Sequence, residues 1–423
     1  MNKASIKHSN VTKAGSLGGA SEIEEAFTKV ELPCNIAHAN NREFDTLLSA
    51  MYQEKQSLVN KYERVIKTSQ DQAEAVFNIL KKACMSVKLT GIGNPEAESQ
   101  IYEKIKSLTK KQVPLIMALP MGGGKVAVEL KTGNGYLPDT AEWEAWNHLA
   151  AIAEAISTFY RPGAKIVVVG DAMLHTADLG MNATEAAQHL NTAQQDLKML
   201  NIADFIKLPD PLKSLPDNWS KTIADQRRKI IQKTHNDAAF TNQQREQTES
   251  LVYSLNTRVY ELKRSDYIRM FAALKGSVKG ISAEHRLLAA NHYQRSEQVT
   301  ANYTAVNYAI RATGLISRVV KDTTGAEDSL RLSVHAKPLE FRPLLFESGR
   351  LVRNAGLLPM HGTGVVGEYK GKLHFGIDFD IALRIRGFAK VYYDGRPLFY
   401  RWTEHHSEPH LVDSVVSSCG LVT

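Results

Sequence analysis

The sequence predicts an α/β fold with a Rossmann-like parallel core sheet, helical N-terminal and middle segments, and antiparallel β additions at the C-terminus. Three observations carry this expectation. Two short apolar runs, VPLIMALP (113–120) and AKIVVVGD (164–171), flank a loop and the helix-periodic segment DTAEWEAWNHLAAIAEAISTFY (139–160), read as an amphipathic helix. Strand, loop, helix, strand is the βαβ unit of a parallel sheet, whose strands are covered on both faces and so lose polar alternation. The last quarter then shifts to β-prone stretches broken by hairpin turn signals.

Taken in chain order, residues 1–20 are rich in Ser, Asn, Lys and Gly with little to bury, and read as a flexible tail. Residues 21–110 form a helical lead-in, where Phe44, Leu47, Leu48, Met51, Val65, Ile66, Val76, Phe77 and Leu80 recur at helical spacing among charged residues. Residues 111–423 are expected to form the α/β catalytic domain, with a helical insertion around 183–330. That insertion is Gln-, Asn- and Arg-rich and is interrupted by the proline-marked connection LPDPLKSLPDNW (208–219). Beyond Gly325, the stretches SLRLSVHAK, GVVGEYKGKLHFGIDF and AKVYYDGRPLFYRW read as strands, with YKGK and YDGR as hairpin turns. No repeat shows at solenoid periods.

Composition narrows the class. The chain has 423 residues, 43% hydrophobic and 23% charged, as in ordinary soluble globular proteins, which excludes a fibre, a collagen or a disulfide-stapled peptide. Its formal charge of +7 is spread along the chain without a basic run, so a nucleic-acid partner is not expected, while anionic ligands fit. Cys34, Cys84 and Cys419 are too few and too widely spaced for a disulfide framework or a CxxC metal site, which fits a reducing cytoplasm. The N-terminus lacks the apolar core of a signal peptide, and no segment approaches the ~20 apolar residues of a spanning helix. A cytoplasmic protein without membrane contact is expected.

The loop after the first strand, PMGGGKVAVELKTGNGYLPD (120–139), holds Gly122, Gly123 and Gly124 followed by Lys125 and, farther on, Lys131. Consecutive glycines let backbone N–H groups approach an anion, and the lysines add charge, so the loop suggests a phosphate cradle. A glycine turn with solvated lysines is the plain alternative. It is not a Walker A loop, because Val126 stands where Ser or Thr would bind magnesium. The G-x-G-x-x-G match at Gly362, Gly364 and Gly367 runs into a hairpin-like segment, where a dinucleotide fingerprint needs a helix N-terminus. His235-Asn236-Asp237 and HHSEPH (405–410) read as solvated helix and exposed terminus rather than metal sites.

Further candidates sit at strand ends. Asp171 closes IVVVGD, at the carboxyl edge where open α/β sheets bind ligands. Arg331 and His335 share one face of RLSVH if it is a strand, and His361 follows LLPM in a Gly-rich turn. A buried structural role is the default for each histidine.

In order, these cues resemble the isonitrile (isocyanide) synthase family, which includes the PvcA-type bacterial enzymes and the fungal enzyme that modifies tyrosine for the dityrosine spore wall. The resemblance runs from about residue 111 to 403. Its anchors are Leu119-Pro120 with Lys125 and Lys131, LPDTAE (137–142), YRPGAKIVVVGD (160–171), RLSVH (331–335), PMHG (359–362) and GRPLFYR (395–401). Departures are PMGGG and VAV around the first lysine, Asp171-Ala172 for the usual Asp-Gly, and Pro359-Met360-His361 for the usual Pro-Trp-His.

The resemblance implies a Rossmann-like core and a reaction without metal or redox cofactor. The amino group of an amino acid, commonly tyrosine or tryptophan, condenses with ribulose 5-phosphate, whose carbonyl carbon becomes the isonitrile carbon. Such chemistry asks for cationic or N–H donors on the phosphate and for acids and bases near neutral pKa at the imine. On this basis Lys131, His335, Asp171 and His361 are expected to be catalytic. Gly122, Gly123, Gly124, Lys125, Arg331 and Arg396 are expected to bind substrate. Within that set, Lys125 and Arg331 would hold phosphate or carboxylate, Lys131 and His335 would lie near the imine, and Asp171 would orient a donor. An iron/2-oxoglutarate oxygenase is the expected pathway partner. The alternatives are a diverged relative with another carbon donor or product, such as an N-formyl compound, and a non-catalytic ligand-binding relative.

Overall fold

The computed structural model describes residues 34–84, 94–121, 124–127, 132–133, 135–176, 180–200, 204–207, 217–237, 301–334, 339–346, 358–369, 371–378, 380–385 and 387–402. Residues 1–20, HHSEPH, Gly122, Gly123, Lys131, His335 and Cys419, for which the sequence sets expectations, lie outside them.

Among the described residues two sheets share one large core. The first is the expected parallel sheet, with β2 (Leu115–Pro120), β3 (Ala164–Gly170), β4 (Asp204–Lys207) and β5 (Leu330–Arg331) in the order β4-β3-β2-β5. The chain winds from β2 outward to β4 and returns to place β5 on the other side of β2. The crevice outside the strand ends at that reversal is where doubly wound sheets bind ligands. One face of the sheet, through Ile116, Ala118, Val167 and Val169, is covered by Trp219 of α6 (Trp219–Asn236), by the helical residues 301–312, and by α8 (Leu315–Thr324). We number the 301–312 helix α7.

The second sheet is mixed: β1 (Asn35–His38), β8 (Ala389–Tyr393), β9 (Arg396–Trp402), β6 (Thr363–Tyr369) and β7 (Lys372–Asp378), in that order. Its two hairpins fall at the expected turns. Tyr393 pairs with Arg396 around Asp394 (φ 50°) and Gly395 (φ 72°), the double left-handed conformation that matches strand twist. Tyr369 pairs with Lys372, with Gly371 at φ 71°.

Three expectations need correction. The C-terminal strands do not extend the parallel sheet but build a separate one, and two of its pairings, β1 with β8 and β6 with β9, are parallel. The helical lead-in, which contains α1 (Asn41–Ile66), α2 (Gln72–Ala83) and α3 (Pro95–Lys110), also supplies the edge strand β1. The helical insertion, with α5 (Ala183–Leu200) and α6, contains the parallel strand β4. Each missed strand is four residues long, too short for a periodicity to stand out.

The helix between β2 and β3, α4 (Thr140–Ser157), lies between the two sheets and against α1. Every residue from Thr140 to Ala153 is buried, so the helix is enclosed on all sides rather than amphipathic as expected. Leu115, Met117, Leu119, Ile166 and Val168 meet it from the parallel sheet, and Val366, Phe375, Ile377 and Phe399 belong to the same core from the mixed one. Its polar residues Glu142, Glu144, Asn147 and His148 are therefore interior groups. No helix among the described residues is long and apolar enough to cross a membrane.

The glycines of the G-x-G-x-x-G match serve this packing. A Cβ on Gly364 would lie 2.0 Å from Thr140 Oγ1 and 2.8 Å from Ala141 N, and one on Gly367 would lie 2.5 Å from the Trp402 ring. Gly364→Ala is expected to force β6 away from the α4 N-terminus and to cost about 1–3 kcal/mol or more, as overpacking does. Gly371→Ala, in open space at positive φ, should cost only about 1–2 kcal/mol of backbone strain. Urea unfolding of both variants compares them, and an equal loss would remove the close-approach account of Gly364.

Candidate active site

The glycine loop leaves β2 at Pro120 and turns inward. Gly124 has φ +66°, a left-handed conformation that favours glycine, and a Cβ there would stand 2.9 Å from Met181 Sδ at the movable end of that side chain. The turn directs Lys125 into the interior, where the side chain is 1% exposed. Its Nζ lies 2.7 Å from Asp139 Oδ2 and 3.1 Å from Glu142 Oε2.

Both carboxylates come from the LPDTAE segment, which forms a capping box at the start of α4. Asp139 Oδ1 accepts from Ala141 N at 2.8 Å, and Asp139 N donates to Glu142 Oε2 at 2.9 Å. Asp139 also accepts from Gly364 N, 3.2 Å from each oxygen, which ties the mixed sheet to the same point. Burial would lower the Lys125 pKa, but Asp139 and then Glu142 outweigh it and the net shift is upward. Burial lifts the Glu142 carboxyl to about 7; the Lys125 ammonium opposes this and the Asp139 charge adds to it.

The far end of the loop is anchored separately. Lys390 Nζ donates to Gly133 O at 3.3 Å and pairs with Asp380 at 3.2 Å, and the Tyr400 hydroxyl donates to Asp380 at 2.7 Å. Arg384 Nε lies 2.6 Å from the other Asp380 oxygen. Burial is the main reason the Tyr400 phenol titrates well above its usual range.

His189 from α5 lies beside the Lys125 ion network. Its Nδ1 is 2.7 Å from Tyr136 O, and burial pulls its pKa down to about 4, with Lys125 and Arg396 adding to the effect. His189, Gly124, Glu142, Trp146, Pro359 and Met360 are among the residues lining a cavity of about 20 Å³. Asp171, at the end of β3, has Oδ2 4.0 Å from His175 Nε2, and the His175 ring lies 5.0 Å from that of Tyr303. Arg331 ends β5 beside Ala118. Burial lowers its pKa, opposed by Glu340, and its buried Nε has no hydrogen-bond partner among the described residues.

Two expected substrate ligands have other work. Lys125 is the cation of an interior ion network, so a phosphate placed there would meet two carboxylates. Arg396 donates from Nε to Pro138 O at 3.0 Å, and its Nη1 and Nη2 grip Asp196 at 2.9 and 2.5 Å. Nη2 also contacts Pro138 O, and the guanidinium lies over Trp143, whose Nε1 donates to Asp196 at 2.7 Å. Arg396 is thus a clamp between β9, α5 and the start of α4. Gly124 lines the cavity, Asp171 follows the carboxyl end of β3, and Arg331 ends β5 paired with Ala118, whose side chain faces α7 and α8, while His361 ends a short turn, Pro359–His361, next to the cavity-lining Met360.

Sequence reasoning missed Asp139, Glu142, His175 and His189 as site residues. The first two lie in LPDTAE, at the start of the segment read as an amphipathic helix, where acidic residues look like part of a solvated face. No local pattern marks His189. Among the described residues one group has metal-ligand geometry: Glu54, Glu144 and His148, on the α1 side of α4, with ligand atoms within 4.8 Å of one another.

The sequence matches the family described as pyoverdine/dityrosine biosynthesis protein over residues 105–347. No protein of curated function matches it. The fold is similar to the crystal structure of the PvcA protein from Pseudomonas aeruginosa, with TM-score 0.57 and 15% identity, covering 78% of this chain and 99% of that one.

Two sets of measurements test the electrostatics. Lys125→Met strands two buried carboxylates and is expected to cost about 3–5 kcal/mol; a loss below about 1 kcal/mol in urea unfolding would contradict the pairing. Glu142, raised in the fold, favours stability below pH 4.5 and loses that contribution as pH rises through about 7. His189, depressed in the fold, favours stability above pH 6.5 and loses it as pH falls through about 4. The two slopes oppose each other, each at most about 1.4 kcal/mol per pH unit. His189→Asn should therefore expose stability that falls from pH 4.5 to 7, and Glu142→Gln should expose stability that rises from pH 4 to 6.5. Unchanged profiles in both variants would refute the assignment.

Proposed function

The chain belongs to the pyoverdine/dityrosine biosynthesis protein family, and from that premise we propose that it is an isonitrile-synthase-like enzyme. It condenses the amino group of a tyrosine- or tryptophan-like amino acid with ribulose 5-phosphate by acid–base chemistry, without metal or redox cofactor. The observation that carries the reading is the crevice at the β2–β5 reversal. Three separated family-like stretches meet beside it: the glycine–lysine loop, LPDTAE and PMHG, whose Pro359 and Met360 line a cavity with Gly124 and Glu142.

Condensation of an amine with a keto-sugar phosphate needs a donor for a dianion and a group that moves protons near neutral pH. Arg331 supports the first requirement and the Asp139–Glu142–Lys125 network the second. In the same proposal the enzyme works in the cytoplasm and hands its product to an iron/2-oxoglutarate oxygenase. A second reading, a relative releasing another product such as an N-formyl compound, is favoured by two departures: Lys125 is engaged by carboxylates, and Met360 precedes His361 where the family has Trp.

The test offers folded protein a panel of amino acids with ribulose 5-phosphate carrying carbon-13 at the carbonyl carbon, without added metal or nicotinamide. The label is expected on the amine nitrogen as an isonitrile, caught by rapid trapping. A labelled N-formyl product formed before any isonitrile supports the second reading, and no transfer across the panel refutes both.

A further inference from the structure

Of the groups around the crevice, the ones best placed for chemistry are those whose bonding capacity is still open. Asp139 accepts from Lys125, Ala141 and Gly364, which occupies both of its oxygens. Lys125 is enclosed between two carboxylates. Glu142 differs. Its Oε2 takes Lys125 Nζ and Asp139 N, but its Oε1 is buried with no hydrogen-bond partner among the described residues. The indole Nε1 of Trp146 is in the same condition, and both side chains line the 20 Å³ cavity with His189. Buried polar atoms of this kind ordinarily find a partner, and a cavity of this size accommodates one water molecule.

His189 completes the set. A backbone carbonyl can only accept, so the contact with Tyr136 O puts the proton on Nδ1 and leaves Nε2 as an acceptor in the neutral ring. The residues lining the cavity thus carry one N–H donor, one neutral acceptor and one carboxyl oxygen able to be either.

We propose that Glu142 is the proton-transfer residue of this site, exchanging protons through Oε1 and a single water held with Trp146 and His189. The role rests on the condensation proposed above. When an amine forms an imine with a ketone, nitrogen loses two protons and the carbonyl oxygen leaves as water carrying both. Glu142 takes each proton from nitrogen and passes it to that oxygen, and ends in the state in which it began. The charged and titratable groups facing it are Lys125 and Asp139, from the loop and the helix cap, and His189 from α5. Their balance places its titration near neutrality, where a proton can move either way.

The test has two arms. In the free enzyme, infrared difference titration should show a buried protonated carboxyl that ionises near pH 7 and is missing from Glu142→Gln. Nitrogen-15 spectra should show His189 neutral with a bare Nε2 at pH 6. In turnover with labelled ribulose 5-phosphate, Glu142→Gln should lower kcat by roughly 10²–10⁴-fold with little change in KM and abolish the limb of the pH profile near 7. Glu142→Asp should restore part of the rate. Trp146→Phe, which leaves the ion network intact, should move that limb to higher pH, since it loosens the water that donates to the carboxylate. A Glu142→Gln variant that keeps wild-type turnover and the same limb, or a free enzyme with no carboxyl titrating near neutrality, overturns the assignment. If wild-type protein transfers no label, the pentose-phosphate reading fails, and the free-enzyme titration alone decides whether Glu142 is poised to exchange protons: its presence upholds that property and its absence overturns it.

Discussion

Asp139 sits between the loop after β2, the start of α4 and strand β6, and its one carboxylate holds all three. It caps α4 through Ala141 N, receives the Lys125 ammonium from the loop after β2, and accepts Gly364 N from β6. A neutral side chain could not balance the lysine. The enclosed helix follows from this, since a helix start buried between sheets leaves orphan N–H groups that must be answered by side chains already present. The same constraint brings Glu142 into the interior, one turn into the helix, where burial raises its pKa. The feature that fixes the architecture therefore also creates the group best suited to chemistry.

Much of the fold was legible in the sequence. The runs at 113–120 and 164–171 have the unbroken apolar texture that two covered faces demand, and YDGR contains the turn residues that positive φ requires. The elements that escaped are those whose stability is not local. β1 and β4 are four residues each, and each exists because a neighbouring strand offers a ladder. The partner of β1, β8, lies about 350 residues away in the chain, and no window around residue 35 contains that information. Reading α4 as amphipathic failed for a related reason: its Glu, Asn and His residues look like a solvated face until the groups that satisfy them, such as Lys125, are brought in by tertiary structure.

The candidate site was legible in its location but less so in its roles. The strand ends and the glycine loop mark the crevice by rules that depend on topology alone. Roles depend on what each charge meets. Lys125 and Arg396 look like free cations in the sequence, yet one is balanced by two carboxylates and the other by Asp196 and a carbonyl. Arg331 is the opposite case: its Nε is buried without a hydrogen-bond partner among the described residues, so it still has a donor to offer. Positive charge in a motif is thus weaker support for phosphate binding than a donor whose hydrogen bonds are not already taken.

The arrangement around Glu142 also explains how a neutral histidine and a half-ionised carboxyl can coexist in one small cavity. Lys125 contributes to both shifts, holding the Glu142 pKa below the value burial alone would impose and pushing His189 further toward neutrality. One buried cation therefore spreads the acid–base range of its neighbours: it keeps the carboxyl able to ionise near pH 7 and keeps the imidazole from competing for the same proton. Were Lys125 instead free to bind a dianion, its charge would be offset whenever substrate arrived, and both titrations would move just when they are needed. Fixing the lysine inside the protein and leaving anion binding to other groups avoids that coupling, which is a physical reason for the loop to turn Lys125 inward at Gly124.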